Sequence, residues 1–464
     1  MCWWGAALVL GPNINAPMDE DAVAPAWEAL QKATALAPKI GAWERAMIEA
    51  LGKRYVADPP ADRGPLDLAY ADAMRGVAAR FPEDPDAGTL FAEALMDLHP
   101  WNLYTRQGDP HPWTPEITGV LETTLARAPD HPGAMHLYIH ATEASKTPGR
   151  AEPYADRLAG IVPGAGHLVH MPAHTYIRVG RYNDAVLANV AATKADDSYV
   201  TQCRAQGLYP LAYVPHNHHF LWAAACLSGQ SAVALRAAVA TDAKTDHEKM
   251  HQPGFGTLQH YSLTPIYSRV RFAKWQEILD TPAPPADLAY PTGIWHYARG
   301  LALAAAGRID DAGTELAALR TSASADNLEK VTIWDINPAS QIMKIAIEVL
   351  AGEIAARRGE SIAAIGHFRE GARLEDELNY NEPPDWHLPV RHYLGAALVD
   401  AGQTAEAEQV YLEDLRRNPE NGWSLHGLMK SLQAQGRTGE AAAVEKRFQR
   451  AWQHADVLIT ASRF

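Results

Sequence analysis

The chain has 464 residues, 47% of them hydrophobic and 21% charged, too long for one compact core and too apolar for disorder. With 41 Lys and Arg against 55 Asp and Glu the net charge is −14, so no overall electrostatic footprint for phosphate backbones exists and nucleic acid is not expected as a partner. Cys2, Cys203 and Cys226 lack the paired spacings of a disulfide framework or a Cys-rich zinc module, which leaves the 20 histidines as the feature to follow.

Met1 to Leu10, MCWWGAALVL, is apolar but has no basic segment before it and no small-residue cleavage site after it. Neither this run nor any other approaches the ~18 to 20 apolar residues of a membrane span. A helix starting apolar at residue 2 has no cap, so the natural chain is expected to begin further upstream.

Beyond this segment, amphipathic Ala-rich runs alternate with Gly-containing turns and Pro or Asp breaks. Examples are RVGRYNDAVLANVAATKAD from Arg178, DAGQTAEAEQVYLEDLRRNP from Asp400 and AQGRTGEAAAVEKRFQRAW from Ala434. Gly402 and Gly436 are 34 residues apart, as are Pro163 and Asp197. A helix-turn-helix period of 34 is the signature of the tetratricopeptide repeat. Repeats are predicted to begin near Pro85, Pro132, Gly166, Pro215, Gln259, Gly293, Ile345, Leu388 and Gly422, with two degenerate ones before Pro85. Insertions fall at 199–214 and around 322–340, and Pro-rich loops at 59–65 and 282–285. The expected architecture over residues 1–464 is a single all-α solenoid, a right-handed superhelix of about eleven helix pairs.

In such repeats the first helix lines a concave groove through positions 2, 5, 9 and 12, which spacings of three and four put on one face. HLYIHATE places His136 at 5, His140 at 9 and Glu143 at 12 of its repeat. GHLVHMPAH places His167 at 2, His170 at 5 and His174 at 9, so that His170 and His174 follow His136 and His140 by 34 residues. PHNHHF places His216 at 2 and His219 at 5, and His260 falls at 2 of a later repeat. Seven of the nine histidines from His131 to His219 thus occupy groove positions, where random placement would put about one residue in eight.

First helices of adjacent repeats lie about 8 to 10 Å apart, so imidazoles from two of them can meet at one ion. Residues 132–242 are therefore the expected metal-bearing repeats, with His136, His140, His167, His170, His174, His216 and His219 as ligands. Two overlapping squares are possible: His136, His140, His170 and His174, or His167, His170, His216 and His219. One or two transition-metal ions are expected, zinc first on ligand type, with copper or iron as alternatives. Glu143 and Glu93 are candidates for handling protons and Arg178 for clamping an anionic group, although Arg178 can equally pair with Asp184. Cys226 is a possible soft ligand. His131 and His218 fall off the groove face; His99, His111, His247, His296, His367 and His454 are isolated, and His392 and His426 are ordinary groove residues.

The segments HPGAMHLYIHATEAS, GHLVHMPAHTYIRVGRYNDAV, HNHHFLWAAA, VRFAKWQEIL, NEPPDWHLPVRHYLGAAL and NGWSLHGLMKSLQAQG resemble a bacterial family of tetratricopeptide-repeat proteins described chiefly by their repeats. The likeness runs through the terminal ADVLITASRF. It implies the repeat fold and an export signal with one more helix ahead of a segment like CWWGAALVLGPNIN, and it brings no established reaction.

The function expected is that of a metal-dependent enzyme, hydrolytic or oxidative, acting on a small molecule in the groove. The alternative is an interaction scaffold whose groove binds a peptide or partner protein, any metal being structural. A metal carrier, with exchangeable binding beyond one or two ions, is the third reading.

Overall fold

The computed structural model describes residues 1–203 and 209–464, which divide into two compact units, Met1–Val162 and Pro163–Phe464. Both are built from antiparallel helix pairs. The fold is all-α and of tetratricopeptide-repeat type.

In the first unit run α1 (Cys2–Leu8), α2 (Glu20–Leu36), α3 (Ala42–Leu51), α4 (Gly64–Arg80), α5 (Pro85–Met96), α6 (Thr114–Arg127), α7 (Pro132–Glu143) and α8 (Glu152–Ile161). Two starts fall where the repeat frame puts them. Asp84 caps α5 by accepting from the Ala87 N–H, and His131 caps α7 by accepting from Ala134 N–H, each with Pro as the first helical residue. The unit's interior also holds a buried ion pair, Arg54 with Asp97 at 2.5 Å and Asp67 at 3.3 Å.

The second unit opens with α9 (Gly166–His170), α10 (Pro172–Val179), α11 (Tyr182–Cys203), α12 (Val214–Leu227) and α13 (Ser231–Ala243). It continues through α14 (Gly256–Ser262), α15 (Thr264–Arg271), α16 (Trp275–Leu279), α17 (Ala289–Ala305) and α18 (Ile309–Ala323). A two-stranded hairpin, β1 (Thr332–Ile333) with β2 (Asn337–Pro338), occupies the insertion expected around 322–340. The last helices are α19 (Ala339–Arg357), α20 (Ser361–Asp376), α21 (Val390–Asp400), α22 (Thr404–Arg417), α23 (Gly422–Ala434) and α24 (Thr438–Ala451). Part of the other predicted insertion, 204–208, lies outside the described residues.

The 34-residue period has a physical origin in the hairpin turns. Gly402 and Gly436 sit at φ +74° and +75°, and the following amides of Gln403 and Arg437 close the turn onto the carbonyls of Leu398 and Leu432. Where helices cross, small residues make room. Tyr411 of α22 is 1% exposed and wedged between Gly395 of α21 and Gly427 of α23. After the insertion the frame drifts: α14 starts at Gly256 rather than Gln259, and α19 at Ala339 rather than Ile345.

The second unit closes on itself. Tyr182 Oη donates to the Pro419 carbonyl at 2.8 Å, Arg178 Nη1 to that of Arg417 at 3.4 Å, and Trp423 Nε1 to that of Cys226 at 3.0 Å. The Asp456 carboxylate accepts from the Ser231 and Ala232 amides at 2.6 and 2.9 Å. Helices α10 to α13 are thereby tied to α22, α23 and the tail, and the face between them becomes an interior. Among the described residues no helix is long and apolar enough to cross a membrane.

A Cβ on Gly427 would lie 2.1 Å from Tyr411 Cζ, whereas one on Gly366 of α20 meets nothing within 4 Å. Gly427→Ala is expected to destabilise by about 1 to 3 kcal/mol, and Gly366→Ala to stabilise by about 0.5 to 1. Urea unfolding midpoints check both; equal midpoints would refute the close approach.

Candidate metal centre

In the first unit, His136 and His140 lie one turn apart on α7 with ring centroids 4.9 Å apart. His140 Nδ1 is 2.9 Å from Glu143 Oε1, and the indole of Trp101 stands edge-on to the His140 ring at 5.1 Å. Glu143 is buried and Glu93 half-buried, the Glu93 carboxyl being pushed up by desolvation against the pull of Arg54. Of the expected square, His136 and His140 belong to the first unit and His170 and His174 to the second.

In the second unit the GHLVHMPAH segment folds as two short helices because Pro172 has no N–H to give. The Met171 amide still bonds the His167 carbonyl, but the next turn tightens so that the His174 amide bonds Met171. His170 and His174 remain on one face, where α12 brings His216 against them. The ring centroid of His216 is 4.9 Å from that of His170 and 5.9 Å from that of His174. The three offer ligand nitrogens all within 4.8 Å of one another. Phe220, one turn after His216, packs against all three rings at 4.5 to 5.2 Å and keeps their surroundings apolar.

The outer nitrogens decide what the inner ones can do. Asn189 Nδ2 donates to the Ala185 carbonyl, so its Oδ1 is the acceptor that faces His170 Nδ1 at 2.7 Å and fixes the proton there. His174 Nδ1 faces the Glu382 carboxylate at 3.2 Å, which places its proton on that side too. Both Nε2 atoms then present lone pairs to each other at 2.8 Å. A cation between them would relieve that juxtaposition. Burial, reinforced by the neighbouring histidines, holds His170 well below its ordinary value of 6.5 and disfavours a shared proton. A metal ion fits: two nitrogens about 2.0 to 2.1 Å from one ion stand about 2.9 to 3.4 Å apart. A carboxylate or an amide oxygen accepting from the ring's other nitrogen is the partner that a metal-bound imidazole ordinarily has.

The remaining candidates lie around this trio. His167 is 6.1 Å from His170 by ring centroids and packs on Tyr213 at 5.0 Å. His219 turns to a second group, with His260 at 5.3 Å and Trp222 stacked at 5.0 Å. Arg178 reaches Glu382 at 3.9 Å, while Asp184 pairs with Arg181 at 2.7 Å. Cys226 is buried, its thiol pushed up to about 12 by burial, and it is in none of the described ligand groups. His260, expected at position 2, is the fifth residue of α14, as His170 is of α9.

This second group is a layer of neutral rings. His260 Nδ1 meets Tyr290 Oη at 2.8 Å, Tyr290 meets Tyr267 Oη at 3.3 Å, and Tyr267 stacks on His387 at 4.2 Å. Glu382, Asp385 and His387 all come from the segment 379–389, and neither Glu382, Asn189 nor His387 was singled out by repeat position. The only signal for Glu382 and His387 is the NEPPDWHLP run, which no local periodicity connects to the other histidines, and Asn189 carries none.

The chain is similar to several solved structures. The human IFIT1 dimer with PPP-AAAA matches at 14% identity and TM-score 0.31, covering 93% of this chain and 79% of that one. The P58(IPK) TPR domain matches at 11% identity and TM-score 0.25, covering 91% and 92%. Yeast Tom70 matches at 11% identity and TM-score 0.29, covering 94% and 89%. No protein-family model and no curated protein sequence matches the chain.

Burial lowers His260 to about 3 and His219 and His387 well below 6.5. Unfolding would free them to protonate near 6.5, so below that pH the unfolded chain binds more protons than the folded one. Stability of the metal-free protein is therefore expected to fall as pH drops from about 6.5 towards about 3. Urea unfolding at pH 7, 6 and 5 tests this, and His260→Gln is expected to make the slope shallower by up to one proton. A flat profile would contradict buried neutral imidazoles.

Proposed function

We propose that this tetratricopeptide-type protein binds a transition-metal ion through His170, His174 and His216, and that the centre is that of a metal-dependent enzyme acting on a small molecule. The observation that carries the reading is the pair of buried Nε2 atoms 2.8 Å apart, each ring's other nitrogen facing an oxygen acceptor. Asn189 and Glu382 orient the rings, and Arg178, beside Glu382, is placed to receive an anionic substrate group. Zinc ranks first for three imidazoles, with copper or iron as alternatives; three protein ligands leave a position at which such an ion polarises a substrate or activates water. Within the first unit taken by itself, Glu143, buried against His140, and the half-buried Glu93 are candidates for handling protons. His167 and His219, at the edge of the trio, are candidate ligands of a further ion.

A structural metal in an interaction scaffold is the second reading, and the burial of the trio favours it: His170 is 0%, His174 3% and His216 9% exposed. The net charge of −14 argues against nucleic acid as the ligand of either form. The likeness to a bacterial repeat family is consistent with both.

Elemental analysis of protein purified without added metal, with a metal-edge anomalous map, tests the proposal. One ion on His170, His174 and His216 is expected; less than about a tenth of an equivalent, with no binding on titration, would refute it. Glu382→Gln is expected to weaken metal affinity about 10- to 100-fold with the fold intact. If the metal is structural, His170→Ala lowers the Tm broadly; if it is catalytic and open, His170→Ala loses metal but unfolds near the wild-type temperature.

A further inference from the structure

Arg271, the last residue of α15, is 3% exposed and yet no carboxylate among the described residues lies within ion-pair distance of its guanidinium. Nη1 donates to His392 Nδ1 at 3.3 Å, Cζ lies 3.6 Å over the Trp423 ring, and Nη2 has no partner. Other enclosed arginines are treated differently. Arg54, 2% exposed, has Asp97 and Asp67; Arg391 has Asp376; Arg463 has Glu353. A buried cation ordinarily requires such a partner, since removing a charge from water is compensated only by an opposite charge or several hydrogen bonds.

The nearest candidate, Asp414, is committed elsewhere. Its carboxylate accepts from His392 Nε2 at 3.1 Å, Ser424 Oγ at 2.6 Å and Asn421 Nδ2 at 3.0 Å, so it makes no direct ion pair with Arg271 and faces it across the His392 ring. Two further groups in the neighbourhood are also unsatisfied. Ser268 Oγ, one turn back on α15, and His387 Nδ1 are buried without partners, and His387 lies within the electrostatic reach of Arg271. Burial drives Arg271 down to about 9 although Cys226, Tyr393 and Asp414 all pull the other way. The interior thus holds a cation whose Nη2, with two neutral polar neighbours, lacks a partner, while the nearest anion, Asp414, stands on the far side of His392.

We propose that Arg271 is an anion-binding residue that receives the carboxylate of a small organic acid inside the second unit. One guanidinium with neutral partners compensates one negative charge, which suits a monocarboxylate rather than a phosphate dianion. The aromatic surroundings, Trp423 over the guanidinium and Tyr267 one turn back on α15 stacked on His387, suit an apolar or aromatic body on that acid. The assignment does not depend on the metal centre, since none of its atoms is a proposed ligand.

Thermal denaturation of the whole chain with acetate, butyrate or benzoate tests the proposal, against the matching amides and inorganic phosphate. At least one carboxylate is expected to raise the Tm of the wild type in a saturable manner, with its amide and phosphate inert. Arg271→Met, which replaces an unpaired buried charge by an apolar chain, is expected to keep or raise the ligand-free Tm and to abolish the shift. Arg271→Lys keeps the charge but not the fork, and is expected to bind at least about tenfold more weakly; it serves if Arg271→Met does not fold. No shift from any carboxylate, a shift from phosphate alone, or an undiminished shift in either variant would overturn the assignment. Metal content measured on the same samples, and retention of the shift in His170→Ala, separate this outcome from that of the metal reading.

Discussion

A row of helix pairs has two ends and an exposed concave face, and in the second unit that arrangement is closed by polar contacts between residues 197 to 239 apart in sequence. Tyr182 and Arg178 reach the 417–419 turn, Trp423 reaches Cys226, and Asp456 caps the start of α13. These bonds change the solvent of the unit's inner face. Side chains that would line a wet groove are instead enclosed, and His170, His174, His219, His260 and His392 all become buried groups. The neutral state of the imidazoles and the depressed basicity of Arg271 follow from that enclosure.

Enclosure also sorts the histidines by their supporting partners. Where an amide oxygen or a carboxylate stands behind the ring, as Asn189 does for His170 and Glu382 for His174, the inner nitrogen keeps its lone pair turned towards the other histidine. Where a phenol stands there, as Tyr290 does for His260, the ring joins a neutral hydrogen-bonded layer. The same residue type on equivalent helices thus serves two chemistries, and the choice lies with residues outside the repeat pattern.

This limits what the sequence could show. The helix pairs were legible because each needs a Gly at positive φ, small residues at the crossing and a Pro or Asp at the start, and Gly402, Gly436, Gly427, Asp84 and Pro132 are all visible as such. His170 and His174 were legible from their i, i+4 spacing, and His216 from its place in the next repeat. Asn189 and Glu382 were not, since contacts 19 and 208 residues away leave no local period. The direction of His219 towards His260 was hidden by the start of α14 three residues before its expected place. Arg271 was passed over because an arginine ending a helix is usually a solvated one, and only closure of the unit makes it interior.

The segment 379–389 is attached at both ends of this interior. Glu382 stands against His174, Asp385 accepts from Asn337 and Asn381, and His387 lies on Tyr267 with Tyr297 Oη at 3.4 Å. A stretch of six residues, Glu382 to His387, therefore serves as the common support of two chemically different neighbourhoods. Thermodynamic reciprocity then applies: whatever free energy an occupant of one neighbourhood spends on moving this segment is felt in equal measure by an occupant of the other.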